Sequence, residues 1–327
     1  MARWVVGLTS LLLLAPDSGA AQTGYTTAQE IEFHRAATRA LARGDHDAAR
    51  SLAEERSAED PAGAALLARL DILAGDYEAA EIRLAPIAER NLVSAAGLEL
   101  ALLQHYLGRR DEAEPRLNTI AMQFQRSRSP LHIYYAAQAA RVLGEHRLAN
   151  SLMRLATQEA ADDPALQTFW GELFGEKYDQ LEASQSFTDA LNLDGEWAPA
   201  LLGMARALAD TNPPSAREAA ARALEINPEY LDAHLFLAQG ELDDRNHDGA
   251  ASSLERALEI NPNSLEARSL SAAVAYVEDR LDDFEAEVAR VLELNPRYGE
   301  VFRVAGNLTA RNYRFEEAVA LVQRGLE

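Results

Sequence analysis

The sequence predicts an all-α protein in which one helical hairpin is repeated along most of the chain. The first indication is a phrase, Ile or Leu followed by Asn-Pro, that recurs 34 residues apart and ends at Pro228, Pro262 and Pro296. The second is the composition, since 48% of the 327 residues are hydrophobic but only 7% are aromatic. Because alanine and leucine supply most of that fraction, the composition suits helices packed through small residues better than a β-rich core.

The N-terminal residues differ in pattern from the rest of the chain. Arg3 precedes an apolar run that ends at Ala15, and a stretch of small residues follows. This pattern is typical of a secretory signal peptide, because the run is shorter than the roughly 20 apolar residues needed to span a bilayer. We therefore predict a signal peptide at 1–21, a lead-in at 22–27 and an exported protein, either periplasmic or extracellular.

Small residues keep the same phase as the Asn-Pro phrase. In the unit that ends near Pro262, Ala238 on the first predicted helix is followed by Ala250 and Ala257 on the second. This pattern resembles the tetratricopeptide repeat (TPR) family, whose motif is a 34-residue helix–turn–helix. The resemblance covers 28–327 and implies an α-solenoid, a right-handed superhelix of about nine units. Their approximate bounds are 28–61, 62–93, 94–129, 130–163, 164–197, 198–230, 231–264, 265–298 and 299–327.

Glycine marks the turn inside the early hairpins. Gly44, Gly75, Gly108 and Gly144 stand where the first helix of a unit ends, a position that favours a left-handed backbone. Each hairpin has an apolar face that it cannot bury alone. Stacking neighbouring units is therefore expected to form one continuous core.

Three residues depart from the repeat pattern, each with an expected structural effect. Pro86 lies in the middle of a second helix, which we expect it to bend or shorten. Pro115 is expected in the first turn of its helix, where the missing N–H costs little. Phe284 stands where the pattern has a small residue, so we expect looser helix spacing in the eighth unit.

Charge and missing motifs restrict the possible functions. The formal net charge is -21, so nucleic acid is a poor partner, and no segment after the signal peptide is apolar enough for membrane insertion. The chain has no cysteine, which excludes disulfides and thiol chemistry. It also lacks HExxH, glycine-rich phosphate loops and GxSxG. We predict no metal, no cofactor and no enzymatic activity for these residues, while a catalytic domain further along a longer chain stays open.

The resemblance to TPR proteins implies a binding groove. In TPR arrays the first helices line a concave face, which usually takes a peptide or a segment of a protein partner. Aromatic and polar side chains in the middle of this groove would supply affinity and register. Alternatively, Tyr134 and Tyr135 simply pack between neighbouring first helices. The predicted groove residues are His105, Tyr106, Tyr134, Tyr135, Gln138, Arg141, Phe169, Glu172, Arg206, Phe236 and Gln239.

The family's carboxylate-binding clamp uses lysine and asparagine at fixed groove positions. The only lysine of this chain, Lys177, lies in a predicted turn, so we do not expect that clamp. The leading prediction is a non-enzymatic protein–protein interaction scaffold in the periplasm or cell envelope of a bacterium. Two alternatives stay open: the N-terminal TPR arm of a larger exported enzyme, for example a peptidase-like one, or an assembly factor for envelope polysaccharide or outer-membrane proteins. Because Glu327 falls before the expected proline and no helix follows it, we expect the sequence to be part of a longer chain.

Overall fold

The computed structural model describes residues 25–177 and 179–326, so the predicted signal peptide lies outside the described residues. Every regular element in this part of the chain is helical. In chain order the helices are α1 (Thr27–Ala42), α2 (His46–Glu54), α3 (Pro61–Leu73), α4 (Tyr77–Arg90), α5 (Ala95–Tyr106), α6 (Arg110–Phe124), α7 (Pro130–Val142), α8 (His146–Glu159), α9 (Pro164–Gly175), α10 (Gln180–Leu193), α11 (Ala198–Leu208), α12 (Pro213–Ile226), α13 (Leu231–Asp243), α14 (His247–Ile260), α15 (Leu265–Val277), α16 (Leu281–Leu294), α17 (Glu300–Arg311) and α18 (Phe315–Arg324).

Consecutive helices pair into nine hairpins within the described ranges. The odd-numbered helices are the first helices of the hairpins and the even-numbered helices are the second. The two helices of each hairpin pack on each other, and each hairpin packs on the adjoining unit. The predicted all-α solenoid of about nine units is therefore confirmed. None of the described helices has the length and hydropathy needed to cross a bilayer.

Short polar side chains begin many of these helices. At the start of α1, the Gln29 N–H donates to Thr26 Oγ1 over 3.3 Å, and the Thr26 N–H donates to Gln29 Oε1 over 2.9 Å. Asp45 and Asp76 begin α2 and α4 in the same way, each accepting from a backbone N–H three residues further on. These bonds satisfy N–H groups that a helix leaves without partners at its start.

The turn inside each hairpin needs a residue with positive φ. The predicted left-handed glycines are confirmed in the first four units, with φ between 68° and 80°. The last three units reach the same conformation without glycine, at Arg245, Asp279 and Tyr313, where φ is 62°, 58° and 63°. This conformation is uncommon for other residues because Cβ crowds the following carbonyl. The repeat therefore keeps the backbone turn even where it loses the glycine.

Alanine fills the contacts between paired helices. Ala80, Ala238 and Ala250 are completely buried, which lets the helix backbones approach closely. Phe284 occupies one of the positions where the pattern has a small residue. It is only 1% exposed, and its ring meets Tyr276 edge to face with centroids 5.0 Å apart. The eighth unit thus buries a large ring in its core, and the looser helix spacing stays a prediction.

Both prolines discussed above lie inside second helices. Helix α4 continues through Pro86 to Arg90, so the expectation of a shortened helix is wrong. Pro86 and Ile82 are not buried, so water can bind the Ile82 carbonyl that the proline leaves without a donor. The expectation that Pro115 lies in a first turn is also wrong, because α6 already begins at Arg110.

The superhelix closes on itself, because the first three units contact units six to eight. Asparagines of the Asn-Pro phrase form this contact by donating to carbonyls at the ends of α1, α3 and α5. We call these contacts the inter-turn seam. They are Asn227 to Leu41 at 3.2 Å, Asn261 to Ile72 at 3.2 Å and Asn295 to Tyr106 at 2.8 Å.

Turn glycines allow the seam to close. A side chain at Gly44, Gly75 or Gly108 would overlap the amide oxygen of the seam asparagine opposite it. At Gly144 an added Cβ atom would have no neighbour within 4 Å. Glycine therefore serves two purposes in the first three units, the left-handed turn and the close approach, and only the turn in the fourth.

Ion pairs continue this contact along α1. Arg35 binds Asp162 at 2.6 Å and Asp163 at 3.3 Å, and Arg43 lies 3.5 Å from Asp194. These acidic residues lie at the ends of the fourth and fifth units, so α1 packs against the middle of the solenoid. The closure places early and late units on opposite sides of the concave groove, which becomes a partly enclosed cavity.

Candidate partner-binding cavity

A cavity of about 590 Å³ lies inside the superhelix. Its wall comes mainly from α1, α3, α5, α7 and α9, together with His46 of α2, Phe124 of α6 and residues at the starts of α11 and α13. The early first helices thus face the later ones across the cavity, as the inter-turn seam requires. Small-molecule sites usually measure about 300–1,000 Å³, so this volume is large enough to take side chains of a bound segment.

Aromatic rings form one side of the cavity. We call His34, Phe124, Tyr134, Tyr135 and Phe169 the aromatic wall. His34 lies edge to face against Tyr134 and Tyr135, with ring centroids 5.7 and 6.0 Å apart. Tyr134 meets Phe169 at 5.2 Å, and Phe124 lies 5.9 Å from Tyr135. Because the rings come from four helices and hold one another in place, the wall is a fixed surface.

Two arginines of the cavity are each bound to carboxylates. Arg69 donates to Glu99 over 2.6 Å, linking α3 to α5. Arg141 lies 2.7 Å from Glu172 and 2.6 Å from Glu176, linking α7 to α9 and its C-terminal turn. These pairs span neighbouring units and position charged groups around the rings. In the described part of the chain, no group of three or more carboxylate and imidazole side chains could hold a metal ion.

Several polar groups of the aromatic wall lack partners within the described residues. The Nε2 atom of His34 is buried and has no hydrogen bond there. Burial lowers the pKa of His34 to about 4, so its imidazole is neutral at pH 7. Burial also raises the pKa of Tyr134 and of Tyr135, and neither hydroxyl has a hydrogen-bond partner among residues 25–177 and 179–326. Buried polar groups normally have partners, so these groups are available to a bound molecule.

Six of the predicted groove residues line this cavity. They are Tyr134, Tyr135, Gln138, Arg141, Phe169 and Glu172. The two tyrosines also pack between first helices, Tyr134 against α9 and Tyr135 against α1. The two alternatives predicted for these tyrosines, lining the groove and packing between first helices, are therefore compatible, since each ring packs on a neighbour and borders the cavity.

His105 and Tyr106 do not line the cavity. The Tyr106 hydroxyl accepts a hydrogen bond from the Leu265 N–H over 3.0 Å and donates to Glu266 over 2.9 Å, so it belongs to the seam. His105 lies near Arg110 of α6, and burial followed by this charge lowers its pKa. Both residues occupy the end of α5, beyond the part of the helix that faces the cavity.

Arg206, Phe236 and Gln239 also lie outside the main cavity. Arg206 lies 3.3 Å from Asp232, which does line it. Phe236 packs against the core formed by α11 and α12. Gln239 borders a second cavity of about 180 Å³ near the C-terminal units. The structure thus divides the predicted groove into separate parts.

Sequence reasoning missed some residues that line the cavity. Arg69 and Glu99 lie on first helices, and their positions within the repeat could have identified them as groove residues. The end of α5 contacts the seam, and an earlier part of the helix faces the cavity. The cavity residue of α5 is therefore Glu99, nearly two turns before the predicted His105. Tyr230 and Asp232 approach α1 only through closure of the superhelix, for which the sequence carries no local signal.

Stacked helical hairpins with an internal cavity define this molecule as a helical repeat protein. Residues 241–308 match the family model described as tetratricopeptide repeat. The recognition made from the Asn-Pro phrase is thereby confirmed for residues 241–308, and the described part of the chain is a helical repeat protein. Proteins built from such repeats are generally non-enzymatic interaction scaffolds, and the fold supports that class of function.

Solved structures similar to this chain include proteins described as TPR proteins. YrrB, described as a TPR protein with an unusual peptide-binding site, shares 23% identity with a TM-score of 0.37, covering 53% of this chain and 90% of YrrB. TTC0263, a thermophilic TPR protein of Thermus thermophilus, shares 18% identity with a TM-score of 0.49, covering 58% and 99%. The Cut9–Hcn1 hetero-tetramer of APC/C shares 19% identity with a TM-score of 0.48, covering 71% and 47%. No curated protein matches the chain.

Proposed function

We propose that this protein is a non-enzymatic scaffold that binds a segment of a protein partner inside its superhelix. The cavity of about 590 Å³ carries this proposal, because it combines an aromatic wall with polar groups that lack partners in the described residues. The rings supply apolar contact area. His34 and the hydroxyls of Tyr134 and Tyr135 fix the register of an extended segment through hydrogen bonds.

A substitution that fills the cavity tests this function. Ala65 of α3 lines the cavity and is partly exposed, so Ala65→Phe occupies volume without removing a hydrogen bond. Ala251→Phe is the matched control, because Ala251 is exposed on α14 and does not line the cavity. Peptides selected from a random library on the unmodified protein serve as probes in isothermal titration calorimetry. We expect Ala65→Phe to weaken binding roughly tenfold or more and Ala251→Phe to leave it unchanged.

Equal affinity of all three proteins for the selected peptides would contradict the proposal, because it would place binding outside the cavity. Circular dichroism and thermal unfolding verify that both variants keep the solenoid. A loss of binding in a folded Ala65→Phe protein supports occupancy of the cavity.

We also propose that the protein is exported to the periplasm or the extracellular space. The support is the sequence of residues 1–21, in which Arg3, an apolar run and small residues follow one another. The mass of the intact protein from its native cell fraction tests this proposal. A mass that includes the first 21 residues would contradict it.

A further inference from the structure

We infer that the cavity takes a positively charged peptide segment, with a lysine or arginine side chain placed against Tyr134 and Tyr135. This inference rests on the proposed function and adds the chemistry of the partner. It follows from the balance of charges around the cavity, from the pairing of its arginines and from the character of its wall.

Carboxylates outnumber cationic groups in the cavity lining. The guanidinium groups are those of Arg69 and Arg141. Arg206 lies outside the lining but pairs with Asp232, and the carboxylates still outnumber the guanidinium groups when Arg206 is included. The carboxylates of the lining are Glu30, Glu99, Glu172, Glu229 and Asp232.

The arginines of the lining are poorly placed to receive an anionic ligand. Arg69 is held by Glu99 at 2.6 Å, and Arg141 is held by both Glu172 and Glu176. An incoming carboxylate or phosphate would have to displace one of these partners, and it would meet the remaining carboxylates as like charges. An incoming cation would compete with Arg69 and Arg141 for Glu99 and Glu172, but it is attracted by a lining that holds more carboxylates than guanidinium groups.

The carboxylates act directly on the aromatic wall. The charges of Glu30 and Glu99, after burial, contribute to the raised pKa of Tyr135, and that of Glu172 contributes likewise at Tyr134. Arg69 and Arg141 oppose this effect at Tyr134, and Arg56 opposes it at Tyr135, but each of these arginines has a smaller influence than the carboxylates named. The hydroxyls of both tyrosines stay protonated and can accept hydrogen bonds from an ammonium or guanidinium group.

Tyrosine rings attract cations through their negative faces, and this attraction strengthens where water is excluded. Arg141 already uses the wall in this way, since its guanidinium carbon lies 5.0 Å from the centroid of Phe169. His34 is neutral at pH 7 and so adds no positive charge beside the tyrosines. The net charge of -21 also favours the approach of basic segments over long distances.

A matched peptide series tests the inference. The probes are acetyl-Ala-Phe-Xaa-Phe-Ala-amide peptides in which Xaa is arginine, glutamine or glutamate, with spermidine as a free-amine comparison. Isothermal titration calorimetry on the unmodified protein should show the arginine peptide binding roughly tenfold tighter than the glutamine peptide, and the glutamate peptide weakest. Spermidine should bind more weakly than the arginine peptide, because it lacks the phenylalanine side chains.

Two variants locate the charge effect. Glu172→Gln removes a carboxylate from the cavity while Arg141 keeps Glu176 as its partner, so the arginine peptide should bind several-fold more weakly. Glu176→Gln removes the other partner of Arg141, which does not line the cavity, so its effect should be much smaller. Equal effects of the two variants would contradict the inference.

The possible failures are distinguishable. Tighter or equal binding of the glutamine or glutamate peptide, abolished by Ala65→Phe, would overturn the charge preference and leave the proposed function standing. Absence of binding by all three peptides would overturn the preference as well, while the selected library peptides would still test the cavity. If spermidine bound as tightly as the arginine peptide, the assignment of a peptide ligand would be wrong, and the cavity would be a site for free amines.

Discussion

At the scale of single residues, His34 connects the packing of the cavity to its chemistry. Its ring touches two tyrosines of another unit, and its Nε2 atom lacks a partner among the described residues. Asp163 favours the protonated ring and Arg35 opposes it, but desolvation is the larger effect. The neutral state of the imidazole is therefore set mainly by burial in the fold.

The pKa of His34 predicts a loss of stability in mild acid. The folded-state pKa is about 4 and the unfolded value is 6.5, so between these values only the unfolded chain binds the proton. The contribution of His34 is fully present above pH 6.5 and declines as pH falls toward 4. Between pH 7 and pH 5 we expect the free energy of unfolding to fall by roughly 1–2 kcal/mol more in the unmodified protein than in His34→Gln. Urea denaturation at both pH values measures the difference, and parallel losses would refute this role.

The residues of the site were only partly predictable from the sequence. The phase of the repeat placed Tyr134, Tyr135 and Phe169 on the inner side of first helices, because a helix presents residues three and four apart on one face. The same phase failed at His105, since contact with a distant unit decides which turn of α5 reaches the cavity. The seam role of Tyr106 depends on Leu265, 159 residues away, and no local pattern indicates it.

At the scale of elements, the turn between the helices of a hairpin decides whether two turns of the superhelix can meet. Gly75 has φ of 80° and lies against Asn261, whereas Gly144 has φ of 76° and an open surrounding. The backbone requirement is the same at both positions. Only the contact with the seam differs, so the two glycines form a natural comparison.

The comparison predicts unequal effects of the same substitution. Gly144→Ala should destabilise the protein by about 1–2 kcal/mol, the cost of a left-handed non-glycine residue. Gly75→Ala carries that cost and also displaces Asn261, whose side chain bonds to Ile72 and Tyr77. We therefore expect it to lose about 1–3 kcal/mol more, the cost of unpaired buried polar groups. Thermal and urea unfolding compare the variants, and equal losses would show that the seam does not contribute to stability.

At the scale of the whole molecule, the repeat period predicted the hairpins but not the closure. Each hairpin is specified by residues within about 34 positions, which a repeated sequence reveals. Closure depends on small rotations between successive units, which accumulate along the solenoid. The seam asparagines belong to the same phrase that revealed the repeat, yet their partners lie 186 or 189 residues away.

The proposed function depends on closure of the superhelix, because closure creates the cavity. A distance across the seam tests closure most directly. The Arg297 side chain lies 3.8 Å from Asp111, and both are exposed. The chain has no cysteine, so Asp111→Cys and Arg297→Cys accept two spin labels and no others. Pulsed electron paramagnetic resonance should give a short, narrow distance distribution between the labels. A long or broad distribution in the folded protein would show an open solenoid and contradict the account.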